Sequence, residues 1–314
     1  MLKKIIFTVV SCLLLFSTFE VKVTAKETDN NFSVLGKGIN LKNEEVEIPL
    51  FQENGIYYLF DKLYNGNTVI QVLDSNNKVY SNDKEKIIND KKAVTVYQNI
   101  HRINEEFENK FNRKGIKNME SIDYQNIAIT NEVPNSLWTG SAIAINPKFT
   151  PSLDILAHEY THGIIQNEVK NNKVQVFQNE AGAIEESLGD SFAVLIDGNF
   201  TINEEAGSEN IIRSLSNPQK YKQPANYKNY IKTEEDNGGV HVNSGIPNFA
   251  FYKTFKKIGD EKTAKIYYKT LVNDFDANSN FKSFSKKLEK NADDLYSNKE
   301  ASIIAKIWKD IGVN

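Results

Sequence analysis

The chain has 314 residues, with 38 Lys and Arg against 41 Asp and Glu and a formal net charge of −3 when its four histidines are neutral. This mildly acidic balance offers no basic footprint for a phosphate backbone, so nucleic acid is excluded as the expected partner. With 40 % hydrophobic residues the chain can bury one large core or two, and two lobes are expected.

Residues 1–25 begin with Lys3 and Lys4, run apolar from Ile5 to Phe16 and end Val23-Thr24-Ala25, small residues of the kind a signal peptidase needs. A secretion signal is expected, because the run falls short of the ~20 apolar residues of a membrane span and polar KETDNN follows at once. Its removal takes away Lys3, Lys4 and Lys22 against Glu20 and leaves a net charge of about −5. Cys12, the only cysteine, lies inside the signal, so the mature chain is expected to be secreted, extracellular and free of disulfides. A lipidated Cys12 is the competing reading, but the apolar run continues through Leu13, Leu14 and Leu15. No membrane partner is expected after cleavage, and a monomer is.

From Phe32 to about Tyr80, short alternating segments such as EEVEIPLF, GIYYLF and TVIQVLD are separated by Asn, Gly and Asp clusters, the pattern of strands and turns. Between Lys91 and Lys114, Val94, Tyr97, Ile100, Ile103, Phe107 and Phe111 recur at helical spacing and predict one long amphipathic helix. His101 on that helix has no partner motif and is expected to be an ordinary surface or half-buried histidine. DYQNIAITNEV and NSLWTGSAIAIN then read as strands.

The next stretch carries the chemistry. Pro151 suits a first helical turn, Thr150 can cap it, and Leu153, Leu156, Tyr160 and Ile164 set a helix over about Pro151 to Gln166. On it His158 and His162 stand one turn apart, so two imidazoles leave one face at a separation that a single Zn²⁺ can bridge. Glu159 between them is the candidate general base. A second helix, in QNEAGAIEESLGD, offers Glu186 as third ligand and Asp190, one turn on, as acceptor for the far ring N–H of a ligating histidine. Three protein ligands leave a position open, which means a catalytic zinc rather than a structural one. The bland alternative, two histidines on a solvated face, must contend with a chain that has only four histidines. Beyond Gly198, runs at Ile246–Phe255, Glu261–Phe275, Phe281–Tyr296 and Ala301–Ile311 predict a helical lobe.

AHEYTHGII, QNEAGAIEESLGD and DNGGVHVNSG together resemble the thermolysin-like family of secreted neutral zinc metalloproteases, over most of the chain after residue 130. The resemblance implies an α+β, two-lobed fold: a β-rich N-terminal lobe over 26–150, then the zinc helix and a helical lobe over 151–314, with the site in the cleft. It implies a secreted zinc endopeptidase cutting on the amino side of large apolar residues, the alternative being a catalytically weak or idle member that binds peptides. It implies that His241 stabilises the oxyanion, that Asp236 orients its ring and keeps it protonated, and that Arg213 binds a substrate carbonyl. Asn135 and Ser136 would lie on the edge strand that pairs with substrate backbone. Ile155 and Ile212, with Phe149 beside them, would line the specificity pocket. Asp154, Asp197 and Glu204 match calcium ligands, but Thr201 stands where a glutamate is usual, so one structural calcium is expected rather than two.

Other departures are as informative. Phe177 stands where the family has a tyrosine whose hydroxyl assists the oxyanion, so His241 would act with one donor fewer. Glu185 replaces an asparagine and brings negative charge near the metal. The segment around Lys170 to Lys173 looks like an insertion. VLGKGIN follows the expected cleavage point closely, without the family's long pro-segment, and the expectation is a chain that folds unaided or is restrained otherwise.

Overall fold

A computed structural model describes residues 33–169 and 177–313. The expected secretion signal with Cys12 and the expected insertion around Lys170 to Lys173 lie outside the described residues.

The N-terminal part is built from strands β1 (Ser33–Ile39), β2 (Glu45–Glu53), β3 (Ile56–Tyr58), β4 (Phe60–Leu63), β5 (Thr68–Leu73), β6 (Ser81–Asn82) and β7 (Ile87–Ile88). Helix α1 (Lys91–Phe111) follows, then β8 (Asp123–Ile129), β9 (Leu137–Trp138) and β10 (Ala142–Ile145). One sheet has the order β6-β3-β2-β1-β7 and a second the order β4-β5-β8-β10-β9. In the second sheet β5, β8 and β10 run parallel. Residues Thr68 to Val72 are therefore buried without alternation, because an inner parallel strand is covered on both faces. Strand β9 is the last of its sheet and pairs Trp138 with Ile143 and Leu137 with Ala144 in antiparallel register.

Helix α1 starts where the Asp90 side chain accepts the Ala93 N–H at 2.8 Å, and it ends at a left-handed Asn112. Its apolar stripe is buried as the periodicity predicts. His101 is half-buried between the Tyr97 carbonyl at 2.8 Å and Asp61 Oδ2 at 3.1 Å, and among the described residues it belongs to no metal-binding group of side chains.

Helix α2 spans Leu153–Glu168, two residues later at each end than the periodicity predicts. Thr150 does not cap it, since its hydroxyl donates to the Pro147 carbonyl; instead Glu205 Oε2 accepts the Leu153 N–H at 2.5 Å. After α2 come α3 (Asn179–Asp197), a two-stranded ribbon of β11 (Thr201–Ile202) and β12 (Arg213–Ser214), and α4 (Asp236–Asn243). Helices α5 (Gly245–Ile258), α6 (Asp260–Asn273), α7 (Phe281–Leu295) and α8 (Asn298–Asp310) complete the C-terminal part. The fold is thus the expected β-rich region followed by a helical one. Their buried side chains form one connected apolar cluster from Ile48 to Val313 rather than two separate cores. The joint is aromatic: Phe107 of α1 lies 5.2 Å from Tyr160 of α2 and 5.8 Å from Phe192 of α3, while Phe111 stacks on Tyr268 of α6 at 4.4 Å. This cluster holds α2 and α3 against each other.

Among the described residues no helix is long and apolar enough to cross a membrane.

Candidate metal centre

The site is made by α2 and α3 lying side by side in opposite directions. Moving from His158 to His162 along α2 meets, in reverse order along α3, Asp190 and then Glu186 and Glu185. His158 Nε2 lies 3.0 Å from His162 Nε2 and 3.3 Å from Glu186 Oε2, and His162 Nε2 lies 3.6 Å from Glu186 Oε1. Among the described residues these three are the one group of His, Cys, Asp or Glu whose ligand atoms all lie within 4.8 Å of one another.

The far side of each ring is occupied too. His158 Nδ1 lies 2.9 Å from Asp190 Oδ1 and His162 Nδ1 lies 3.2 Å from Glu185 Oε1. When both Nδ1 atoms donate to these carboxylates, two Nε2 lone pairs and the Glu186 carboxylate face one another with no proton between them. Glu186 Oε2 is buried without a hydrogen-bond partner. Three electron pairs converging on one point suit a zinc ion, whose usual ligands are nitrogen and carboxylate oxygen of this kind.

The electrostatics agree. Burial opposes charge on His158, but Asp190 and Glu186 outweigh it and push its pKa up to about 10. His162 is raised likewise against its burial, by Glu185 and Glu186. Glu186 is buried, which would raise it, yet His241 and the two ligand histidines hold it well below the carboxylate range. Asp190, fully buried, is held at about 2 chiefly by Arg213 and His158. The pocket thus favours added positive charge at its centre.

Glu159 is 7 % exposed, and its Oε2 accepts the backbone N–H of Trp138 at 2.8 Å. Trp138 is further tied to α2 by its ring N–H on Gln166 Oε1 at 2.8 Å, and Gln166 donates to the Gly140 carbonyl at 2.9 Å. The expected general base is therefore fixed to the edge strand β9 by that strand's own backbone.

His241 and Asp236 sit on α4, whose start is not helical. Asp236, Asn237, Gly238 and Gly239 all have positive φ, a left-handed turn that brings Asp236 back over His241. Asp236 Oδ1 lies 2.7 Å from His241 Nδ1, and its Oδ2 accepts the His241 N–H at 2.9 Å. His241 Nε2 points to Glu186 Oε2 at 3.4 Å. Glu186 first, then Asp236, raises the imidazole pKa against its desolvation.

Arg213 is not an exposed pair. Its guanidinium donates from Nη2 at 2.8 Å and Nε at 3.2 Å to the buried Asp190, whose other oxygen accepts Asn248 Nδ2 at 2.8 Å. Asn135 is exposed and Ser136 half-buried just before β9. Ile155 is 5 % exposed, Phe149 8 % and Ile212 39 %, so the three expected pocket residues divide between interior and surface. Phe177 is 6 % exposed with its ring 5.3 Å from Phe275, packed in the apolar cluster.

Asp154, Asp197 and Glu204 lie near the start of α2 and the end of α3, but they form no group with convergent ligand atoms among the described residues. Asp154 accepts the Asn203 N–H at 2.5 Å and the Ile155 N–H at 2.6 Å, while the Asn199 amide donates to both Asp197 and Glu204. Burial, with Glu204 adding repulsion, pushes Asp154 and Asp197 each up to about 7.

Four participants were not read from the sequence: the Trp138 N–H, Gln166, Asn248 and Gly189. An added Cβ on Gly189 would stand 2.6 Å from His158 Nδ1, so the glycine is what lets α3 come this close to the ring. A glycine between two site carboxylates inside a helix was the available signal.

Comparison with known proteins agrees with this geometry. Residues 35–166 match the thermolysin metallopeptidase catalytic domain and residues 175–313 the thermolysin metallopeptidase alpha-helical domain. The chain is 34 % identical over 300 residues to neutral protease NprE of Bacillus pumilus, covering 88 % of this chain and 99 % of that one. It is 32 % identical over 300 residues to bacillolysin of Bacillus amyloliquefaciens, covering 88 % of this chain and 57 % of that longer protein. The precursor of protealysin, a metalloproteinase from Serratia proteamaculans, superposes with a TM-score of 0.67 at 26 % identity, over 78 % of this chain and 87 % of that one. By its two domain matches and its relatives, the chain belongs to the thermolysin family of metallopeptidases.

Proposed function

We propose that this protein is a secreted zinc endopeptidase acting as a monomer on extracellular peptides and proteins, and that it cuts on the amino side of large apolar residues. The observation that carries this reading is the convergence of His158, His162 and Glu186 beside a glutamate anchored on an edge strand. Relatives named neutral protease and extracellular elastase support both the peptide substrate and the export.

His158, His162 and Glu186 would hold the zinc. Bound there, it supplies Lewis acidity toward water and the scissile carbonyl. Substrate backbone adds to β9 beyond Asn135 and Ser136, since an open strand edge offers hydrogen bonds whatever the side chains are. Glu159 takes the proton from the attacking water and returns it to the leaving amine. His241, oriented by Asp236 on its Nδ1, donates from Nε2 to the developing oxyanion. Arg213, held in place by Asp190, keeps a guanidinium face for a substrate carbonyl. Ile155 and Ile212, with Phe149, form the apolar subsite. We also propose the lobe division at 150/151 and a single calcium ion held by Asp154, Asp197 and Glu204, for which the Asn199 amide would have to turn aside.

The test is a peptide library digested with and without a zinc chelator. Cleavage before Leu or Phe should exceed cleavage before Ala or Gly by roughly tens- to hundreds-fold, stop with chelator and return with zinc. Chelator-resistant cleavage would overturn the zinc reading, and an acidic or basic preference would overturn the pocket.

A further inference from the structure

The two ligand histidines are backed from behind in the same way. Asp190 takes His158 Nδ1 at 2.9 Å, and Glu185, from the next turn of α3, takes His162 Nδ1 at 3.2 Å. Glu185 is on the far side of the His162 ring from Nε2, so it stands behind the ligand and is not one itself. Its side chain is 17 % exposed, so its charge is only partly screened by solvent.

The two supports are not equivalent. Asp190 shares its charge with the Arg213 guanidinium and the Asn248 amide. Among the described residues, the ionic partner of Glu185 is His162 alone. We propose that Glu185 is a positioning residue of the metal site: it fixes His162 as the Nδ1–H tautomer and adds a negative charge that strengthens Nε2 as a ligand. Both histidines are then carboxylate-backed, one by a neutralised carboxylate and one by a carboxylate free to act on its ring. The physical basis is that an anion accepting Nδ1–H raises the basicity of Nε2 and holds the ring plane. The helix register allows it: His158 and His162 are four residues apart on α2, and Asp190 and Glu185 are five apart on the antiparallel α3.

The inference rests on the zinc reading, and the experiment separates the two. Zinc affinity of the full chain is measured by competition with a chromophoric chelator for the wild type, Glu185→Gln and Glu185→Ala, with melting of each apo-protein as the fold control. Gln keeps an acceptor of the same size and removes the charge, so its affinity should fall about tenfold; Ala removes both and should fall toward the upper end of about 10- to 100-fold. The visible absorption of the cobalt-substituted protein should shift in both variants, because the field of the His162 nitrogen changes. Wild-type zinc affinity in both variants would overturn the inference. Wild-type affinity in Gln with loss in Ala would overturn the role of the charge. Should Ala fail to fold, the Gln variant decides alone. A wild-type chain that does not bind zinc one to one would overturn the zinc reading itself.

Discussion

Glu159 is placed by a backbone amide, not by another side chain, and this makes its role separable from metal binding. In Glu159→Gln the amide oxygen can still accept the Trp138 N–H, and the three zinc ligands are untouched. Zinc content should stay at wild type, and turnover should fall by about 10²- to 10⁴-fold, the usual share of a general base. Activity at a tenth of wild type or better would remove Glu159 from the mechanism. Phe177 gives the opposite kind of case. The family's tyrosine suggested that restoring a hydroxyl would help the oxyanion, but the ring is packed on Phe275 in the apolar core. Phe177→Tyr should therefore lower the melting temperature by burying a hydroxyl, a cost of about 1–3 kcal/mol, without raising kcat. A higher kcat would show that the ring reaches the substrate.

At the scale of elements, the site depends on how closely two helices approach. Gly189 has no side chain where His158 Nδ1 would meet it at 2.6 Å. Alanine is the better helix former by about 1 kcal/mol, yet a methyl against an imidazole that cannot move without leaving Asp190 costs about 1–3 kcal/mol. Gly189→Ala should therefore lose zinc affinity by tenfold or more in a chelator competition, and its apo form should melt no higher than wild type. Unchanged zinc affinity would mean that α3 can yield. The left-handed turn from Asp236 to Gly239 is the second such device, since it closes the carboxylate over His241 within five residues of chain.

Across the whole molecule, one continuous core joins the β-rich and helical regions, so a tie between the start of α2 and the end of α3 should stabilise the entire fold. The proposed calcium ion would be such a tie. Binding at a hundredfold excess over its dissociation constant adds about 2.7 kcal/mol by mass action. The melting temperature of the zinc-loaded protein should then rise by several degrees in millimolar Ca²⁺. An unchanged midpoint removes the ion, and a stoichiometry of two would show that Thr201 does not break the second site.

The sequence by itself determined what is local. Two imidazoles one turn apart follow from helix geometry alone, as do Glu159 between them and the stripe of α1; the family motifs added the two-part architecture, while which histidine Asp190 backs was set by the packing of α3 on α2. The start of α2 moved by two residues because its first N–H finds an acceptor in distant chain: Glu205 accepts from Leu153, and Thr150 turns to Pro147. What only the tertiary structure decided are the partners set by packing. Trp138 reaches Glu159 because β9 lies along α2; Glu185 reaches His162 and Gly189 clears His158 because α3 runs antiparallel to it; Asn248 reaches Asp190 across 58 residues of chain. Such contacts carry no periodicity in the sequence, since they depend on the angle and depth at which separate elements meet.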